Sequence, residues 1–262
     1  MPHISIDGTR LHYRFDGPEN DVPVVVMSHS LGASTEMWEP QMAALTARRR
    51  VLRFDTRGHG ESPPTPPPYH FDRLGEDAYQ LIAALGLGTV DFVGLSMGGM
   101  VGMTLATAHP GTVRRLALCD TMCETNQTYR AAVDGRVKTA ETEGMGVLVE
   151  TTLQRWFTPP FLARNPPVLE TIRRGIRTTS VEGYVGCNRG LQTLDLKGRI
   201  AAIRIPTIVI VGEDDPGTPV AASEVIHRQI AGSELVVIPE ASHLSNVEQP
   251  EAFNAALLRF LG

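Results

Sequence analysis

Ser96 lies in the segment Gly94-Leu95-Ser96-Met97-Gly98, a G-x-S-x-G pattern between an apolar run and a stretch with helical spacing. This order predicts a strand, a sharp turn and a helix, with the serine on the turn. A nucleophile on such a strained turn needs glycine on both sides to avoid clashes. The turn also directs the free N–H groups at the start of the helix, beginning with Met97, toward the serine hydroxyl. The pattern therefore indicates nucleophilic catalysis, provided that the chain supplies a base and an acid.

A serine hydroxyl becomes a good nucleophile only when a base takes its proton, and His243 is the candidate base. It is the only histidine that follows a predicted strand in the C-terminal part of the chain. A carboxylate must hold the imidazole in the right tautomer, and either Asp215 or Asp214 could do so. We prefer Asp215, which stands deeper in its loop, and expect Asp214 to bond the loop's own amides. The order serine, acid, histidine is the one expected of a triad on a parallel α/β sheet.

The oxyanion of an acyl-transfer intermediate needs two N–H donors. We predict that Met97 supplies one and that Leu31, in the loop that begins at His29, supplies the other. His29 is expected to position that loop by hydrogen bonding. Arg57 and His59 lie in a glycine-rich turn, and we interpret both as structural.

The elements that must position these residues alternate between strand and helix over most of the chain, which indicates an α/β fold with a mostly parallel central sheet flanked by helices. Strands are predicted over residues 3–6, 11–15, 22–27, 51–54, 90–94, 116–119, 207–211 and 235–238. The first two are expected to form a hairpin around Asp7-Gly8 at the sheet's edge. Thr218 is expected to cap the helix after strand 207–211, with Pro219 at its first position.

Between about residues 123 and 195 the alternation stops, and only helical patterning is found. The predicted helices cover residues 129–141, 146–157, 168–177 and 181–190. Consecutive helices that interrupt an alternating sheet indicate an inserted all-helical lid over the active site. We therefore predict a core formed by residues 1–122 and 196–262, and a lid formed by residues 123–195.

Composition and charge exclude several classes of protein. The 262 residues are 42% hydrophobic and 20% charged, which is typical of a globular protein. A net charge of −5 and the lack of a long basic run make nucleic-acid binding unexpected. No apolar run reaches membrane-spanning length and no signal peptide is evident, so a cytoplasmic protein without membrane partners is expected.

The sequence implies no metal and no cofactor. The histidines lack zinc-ligand spacing, and no G-x-G-x-x-G follows a predicted strand. Cys119, Cys123 and Cys187 are interpreted as packing residues, since a disulfide is not expected in a reducing compartment. The oligomeric state is not predicted.

With these motifs in place, the chain resembles the α/β-hydrolases over nearly its whole length. The motifs that carry this resemblance are Asp55-Thr56-Arg57-Gly58-His59-Gly60, Gly94-Leu95-Ser96-Met97-Gly98-Gly99 and Ala241-Ser242-His243, with loops 28–32 and 212–219. Within the superfamily it resembles the 3-oxoadipate enol-lactonases of the β-ketoadipate pathway. That resemblance is carried by Met37-Trp38-Glu39-Pro40-Gln41, Arg155-Trp156-Phe157-Thr158 and Glu182-Gly183-Tyr184, among other segments.

The resemblance implies a serine hydrolase that opens a small lactone through an acyl-enzyme, with 3-oxoadipate enol-lactone as substrate and a role in aromatic catabolism. A carboxylesterase or cofactor-free perhydrolase acting on small neutral esters is the alternative, and a ligand-binding receptor on the same fold is another. A carboxylate on the substrate needs a local cation, and Arg155 is the candidate, unless it is a solvated helix residue. Trp38 and Trp156 are expected either to line the pocket's apolar wall or to belong to the core.

Overall fold

A single mixed sheet of eight strands runs through the computed structural model, which describes residues 2–262. The strands are β1 (His3–Ile6), β2 (Thr9–Asp16), β3 (Val25–Ser28), β4 (Val51–Phe54), β5 (Val90–Leu95), β6 (Val113–Cys119), β7 (Thr207–Gly212) and β8 (Glu234–Ile238). Their order across the sheet is β1-β2-β4-β3-β5-β6-β7-β8. Among these strands β2 alone runs in the direction opposite to the other seven. The prediction of a mostly parallel sheet with an antiparallel hairpin at its edge is confirmed.

Helices connect the strands. They are α1 (Glu39–Thr46), α2 (Phe71–Ala84), α3 (Met97–Ala108), α4 (Gln127–Glu143), α5 (Val149–Trp156), α6 (Pro159–Arg164), α7 (Val168–Thr178), α8 (Val181–Gln192), α9 (Lys197–Ile200), α10 (Val220–Gln229), α11 (Ser245–Glu248) and α12 (Pro250–Leu261). Two 3-10 helices, Thr35–Trp38 and Met145–Leu148, precede α1 and α5. The single helix predicted over residues 146–157 is therefore divided in two.

Both faces of the sheet are covered, which explains the continuous apolar runs of its central strands. Successive side chains of a strand point to opposite faces. Val25 and Met27 of β3 accordingly belong to a core completed by α1 and α12, whereas Val26 belongs to a second core formed with α2, α3 and α10. The strand ends that carry the predicted site are thus held between two packed layers.

Helices α4 to α9 all lie between β6 and β7, and we call them the insertion. Within the described residues the segment between these strands adds no strand to the sheet, and its one β-bridge joins Glu124 to Asp195. That bridge places the outgoing and returning chain side by side. A helical insertion is confirmed, whereas the lid bounds of 123–195 stay a prediction.

The structure corrects the expected start of α10. The helix begins at Val220, with Pro219 at the capping position and no side-chain cap, so the prediction that Thr218 caps it is wrong. The Thr218 hydroxyl donates to a carboxylate oxygen of Asp215 instead. A hydroxyl forms a stronger hydrogen bond with an ionised carboxylate than with a backbone N–H group. This difference explains why Thr218 bonds to Asp215 and does not cap α10.

None of the helices in residues 2–262 combines the length and the apolar character that crossing a membrane requires. Cys119, Cys123 and Cys187 are buried and take part in no disulfide.

Candidate active site

Ser96 occupies the turn between β5 and α3 with a φ of 55° and a ψ of −114°. A positive φ at a residue other than glycine is strained and costs on the order of 1–3 kcal/mol. Gly94 and Gly98 permit the turn, since a Cβ on Gly94 would collide with the carbonyl of Gly98, and one on Gly98 with the backbone of Ser28. The Thr121 hydroxyl donates to the carbonyl oxygen of Ser96 over 2.7 Å. The backbone therefore holds Ser96 in a fixed position at the end of the strand, where it lines a cavity.

His243 and Asp215 join Ser96 in one chain of hydrogen bonds. The Oγ of Ser96 lies 2.9 Å from Nε2 of His243, and Nδ1 of His243 lies 2.7 Å from Oδ2 of Asp215. These side chains follow β5, β8 and β7, whose carboxyl ends meet at the same edge of the sheet. The structure thus brings the three predicted residues together in a triad-like arrangement.

Asp215 is held by donors on every side. Oδ1 accepts the N–H groups of Gly217 over 2.7 Å and Thr218 over 3.0 Å, and Oδ2 accepts the Thr218 hydroxyl over 2.5 Å. Burial raises the pKa of this carboxyl, but the imidazole of His243 and the Thr218 hydrogen bonds lower it, and the net pKa lies below its ordinary value. Asp214, by contrast, is exposed. The structure therefore places Asp215, and not Asp214, as the ionised partner of His243.

Two residues with backbone donors lie at the cavity beside Ser96. Met97 and Leu31 both line it. Met97 begins α3, so its N–H has no acceptor within the helix. Among residues 2–262 neither this N–H nor that of Leu31 donates to a protein acceptor. Both groups are therefore available for a ligand oxygen, as an oxyanion hole requires.

His29 lies behind the Leu31 loop. Its Nδ1 donates to the carbonyl oxygen of Ser30 over 2.8 Å, and its Nε2 accepts the N–H of Thr56 over 2.9 Å. The His59 ring lies 5.3 Å away, centroid to centroid. Burial lowers the pKa of His29, and burial together with the proximity of His29 lowers the pKa of His59 to about 3. Both rings are neutral at pH 7, which suits the loop-positioning role expected of His29.

We expect these neutral histidines to make the fold sensitive to acid. The pKa of His59 is about 3 in the folded protein and 6.5 in the unfolded chain. Below pH 6.5 the unfolded chain therefore binds more protons than the folded protein. The free energy of unfolding should therefore fall as pH drops from 6.5 toward 3, by on the order of a few kcal/mol for His59. Urea unfolding at pH 7 and pH 5 measures this, and His59→Gln should show a weaker pH dependence. An equally steep loss in His59→Gln would contradict the assignment.

A cavity of about 420 Å³ opens onto Ser96. Its walls include Trp156 from α5 and Tyr184 from α8, both buried. The Trp156 ring lies 6.3 Å from the His243 ring, centroid to centroid. The apolar walls come largely from the insertion, which therefore shapes the space available to an acyl group.

Trp38 is not part of this wall. Its side chain is fully buried, packs 6.4 Å from the Phe253 ring and lies outside the residues that line the cavity. Of the two predicted tryptophans, the structure places Trp156 at the cavity and Trp38 in the core.

Two arginines of the insertion, Arg136 on α4 and Arg155 on α5, also line the cavity. Neither forms an ion pair with a carboxylate of residues 2–262. The Arg155 guanidinium makes only long contacts, 3.3 Å to the Thr152 hydroxyl and 3.4 Å to the carbonyl oxygen of Thr151. Burial lowers its pKa, and the positive charge of Arg136 lowers it further. The cavity thus holds two cations that no carboxylate of residues 2–262 neutralises.

Arg136 was not predicted from the sequence. It lies seven positions after Tyr129 on the same helix, two turns along one face, and its guanidinium carbon lies 5.5 Å from the Tyr129 ring centroid. The spacing shows that Tyr129 and Arg136 lie on the same face of α4. It does not show that this face lines the cavity, which depends on how α4 packs.

The geometry agrees with comparisons to known proteins. A family model for the alpha/beta hydrolase fold matches residues 23–250. The chain belongs to the alpha/beta hydrolase family. This alpha/beta hydrolase is 36% identical to 3-oxoadipate enol-lactonase 2 of Acinetobacter baylyi, over 97% of its own length and 94% of that protein's.

Solved structures of other family members are similar throughout. An enol-lactonase from Burkholderia xenovorans LB400 matches with a TM-score of 0.95 and 38% identity, covering 99% of both chains. A thermophilic esterase from Thermogutta terrifontis, solved with malate bound, matches with a TM-score of 0.89 and 30% identity, covering 97% of this chain and 93% of that one. The alpha/beta hydrolase described here is therefore a hydrolase of the enol-lactonase or esterase type.

Proposed function

We propose that this hydrolase opens a small lactone that carries a carboxylate, with 3-oxoadipate enol-lactone as the substrate. The observation that carries the proposal is the presence of Arg136 and Arg155, without carboxylate partners, in the cavity that opens onto Ser96. The similarity to enol-lactonases supports the same substrate. A small substrate of this kind suits a cavity of about 420 Å³.

In the proposed reaction the Oγ of Ser96 attacks the lactone carbonyl carbon while Nε2 of His243 takes the hydroxyl proton. The N–H groups of Met97 and Leu31 stabilise the resulting oxyanion. The ring C–O bond then breaks and the electron pair leaves as an enolate, which needs little acid assistance to depart. The enolate then takes the proton from Nε2 of His243, so that the imidazole is neutral again and can act as a base toward water. The whole substrate stays attached to Ser96 as an acyl group until His243 activates a water molecule that hydrolyses the ester bond.

The net charge of −5 does not attract an anionic substrate, so recognition must come from local cations. Guanidinium groups bind carboxylates with paired hydrogen bonds, and in a partly desolvated cavity such bonds are stronger than in water. We assign this role to Arg155 and Arg136 together. Trp156 provides the adjoining apolar wall.

The apolar wall also favours a second candidate, hydrolysis of small neutral esters. Trp156 and Tyr184 can hold an uncharged acyl group, and the Thermogutta terrifontis relative is an esterase. The triad would act in the same way on such a substrate. The two candidates differ in whether the arginines contribute to binding.

Replacing either arginine should weaken binding of an anionic lactone selectively. A hydrogen bond to a charged group contributes about 1.5–3 kcal/mol, so Arg155→Ala or Arg136→Ala should lower kcat/KM for 3-oxoadipate enol-lactone roughly 10- to 100-fold, mainly through a higher KM. The methyl ester of the same lactone should show little change. Steady-state kinetics with both substrates measures the difference.

Arg164→Ala is the matched control, because Arg164 is an exposed arginine of the same insertion that lies outside this cavity. It should leave both substrates unaffected. If Arg155→Ala and Arg136→Ala each leave the KM for the anionic lactone unchanged, the arginines do not bind the substrate, and the neutral ester becomes the better candidate.

A further inference from the structure

Glu248 forms hydrogen bonds to two separate parts of the site. It ends the short helix α11, and its side chain is buried. One carboxylate oxygen accepts the N–H of Ser242 over 2.9 Å, which anchors the loop that carries His243. The carboxylate also accepts the N–H of Thr158 over 3.1 Å, and the Thr158 hydroxyl donates to it as well. Thr158 lies two residues after the end of α5, the helix of Arg155 and Trp156.

Two further bonds connect the same two parts of the chain. The N–H of Leu244 donates to the carbonyl oxygen of Trp156 over 3.1 Å. The hydroxyl of Ser242 lies within 3.3 Å of the carbonyl oxygen of Arg155 and donates to it. Both chain neighbours of His243 are therefore bonded to the backbone of residues whose side chains line the cavity.

The chemistry of the Glu248 site favours a carboxylate. Two of its partners, the N–H groups of Ser242 and Thr158, can only donate, and no cation of residues 2–262 lies within ion-pair distance of it. Burying a carboxylate is costly unless hydrogen bonds satisfy it, and hydrogen bonds to an ionised acceptor are roughly twice as strong as neutral ones. A glutamine would keep one acceptor oxygen and place an NH₂ group where the second carboxylate oxygen now accepts. The bridge is thus strongest with the acid itself.

We propose that Glu248 is a positioning residue that sets the placement of His243 relative to the substrate-binding wall of the insertion. The inference rests on the proposed function, because it takes His243 as the base and Arg155 as a substrate ligand. One carboxylate bonds to both parts and acts beside the two bonds to the backbone of Arg155 and Trp156, so the distance between the base and the bound carbonyl depends on it. A misplacement of about 1 Å in such a geometry can cost 100-fold in rate.

The test is Glu248→Gln beside Glu251→Gln, a matched control on the exposed side of α12. Active sites are counted by titration with a serine-directed fluorophosphonate, so that a loss of folded protein is separated from a change in each site. Per active site, Glu248→Gln should lower kcat and raise the KM for the anionic lactone, reducing kcat/KM about 10- to 100-fold. Glu251→Gln should match the wild type.

A purely structural role would lower the number of active sites and leave each with wild-type kcat and KM, and this result would overturn the proposal. Thr158→Val, which removes one hydroxyl donor and keeps the N–H bond, provides a second variant should Glu248→Gln not fold. It should raise the KM for the anionic lactone with a smaller effect on kcat, and an unchanged KM would equally overturn the proposal. Hydrolysis of a neutral acetate ester, run in parallel, still reports kcat if the wild type does not open the lactone.

Discussion

Replacing Ser96 with alanine is expected to lower kcat for 3-oxoadipate enol-lactone about 10⁴- to 10⁶-fold. Its Oγ lies 2.9 Å from Nε2 of His243, and no other hydroxyl of residues 2–262 lies within hydrogen-bond distance of that nitrogen. Without the hydroxyl the acyl-enzyme cannot form, and only binding and the oxyanion donors remain. The residual activity should then be that of water attacking a bound lactone.

The loss of lactone absorbance, followed for wild type and Ser96→Ala at equal concentrations, measures this effect. The melting temperature of both proteins serves as the control for folding, since alanine retains the Cβ that the strained turn already accommodates. Rapid quenching and intact-protein mass spectrometry add a chemical check. Because a lactone loses no separate alcohol, the acyl-enzyme should be heavier by the full substrate mass. A Ser96→Ala protein that kept a tenth of wild-type turnover would exclude the proposed mechanism.

Replacing Asp215 with asparagine is expected to lower kcat about 10³- to 10⁴-fold. Nδ1–H of His243 donates a hydrogen bond to Oδ2 of Asp215 over 2.7 Å, and the pKa of this carboxyl is held below its ordinary value. An asparagine amide would donate toward Nδ1 and favour the tautomer in which Nε2 carries the proton. That tautomer cannot take a proton from Ser96. The imidazolium would also lose its neighbouring negative charge.

Asp214→Asn is the matched control for this variant, since Asp214 precedes Asp215 in the same loop but is exposed. It should keep near wild-type kcat. The expected contrast is therefore a large loss at position 215 and little change at position 214. Equal losses at both positions would show that the loop as a whole matters, and the assignment of the acid would fail.

The triad could be predicted from the sequence because its members are close to strand ends. On a parallel sheet the carboxyl ends of strands lie at one edge, so Ser96, Asp215 and His243 needed only the correct strand order to meet. The same reasoning predicts Met97 and Leu31 as the oxyanion donors, because their N–H groups follow the ends of β5 and β3. Backbone-directed chemistry of this kind is local and can be inferred from turn residues.

Side chains whose role depends on packing were harder to predict. Trp38 and Trp156 look equivalent in the sequence, yet one packs on Phe253 and the other faces the cavity. Arg136 was missed because helix periodicity shows which residues share a face, but not which part of the protein that face contacts. Thr218 was predicted to cap a helix because it precedes Pro219. The sequence does not show that its hydroxyl donates to the carboxylate of Asp215 instead.

Glu248 was overlooked for a related reason. It lies five positions after His243 in a segment that the sequence does not show to be helical, and α11 turns the chain so that the carboxylate faces back to Ser242. Its other partner, Thr158, comes from the insertion. Contacts between the insertion and the rest of the protein join segments that are far apart in the chain. Local sequence patterns do not predict such contacts.

The most direct test of the central claim compares kcat/KM of the wild-type protein for 3-oxoadipate enol-lactone with that for a small neutral acetate ester. Both reactions use the same Ser96, His243 and Asp215, so the comparison isolates the contribution of the cavity. We predict a markedly higher kcat/KM per active site for the lactone, with multiple turnovers. Hydrolysis of the acetate alone, with the lactone untouched, would contradict the assignment of a carboxylate-bearing lactone as the substrate.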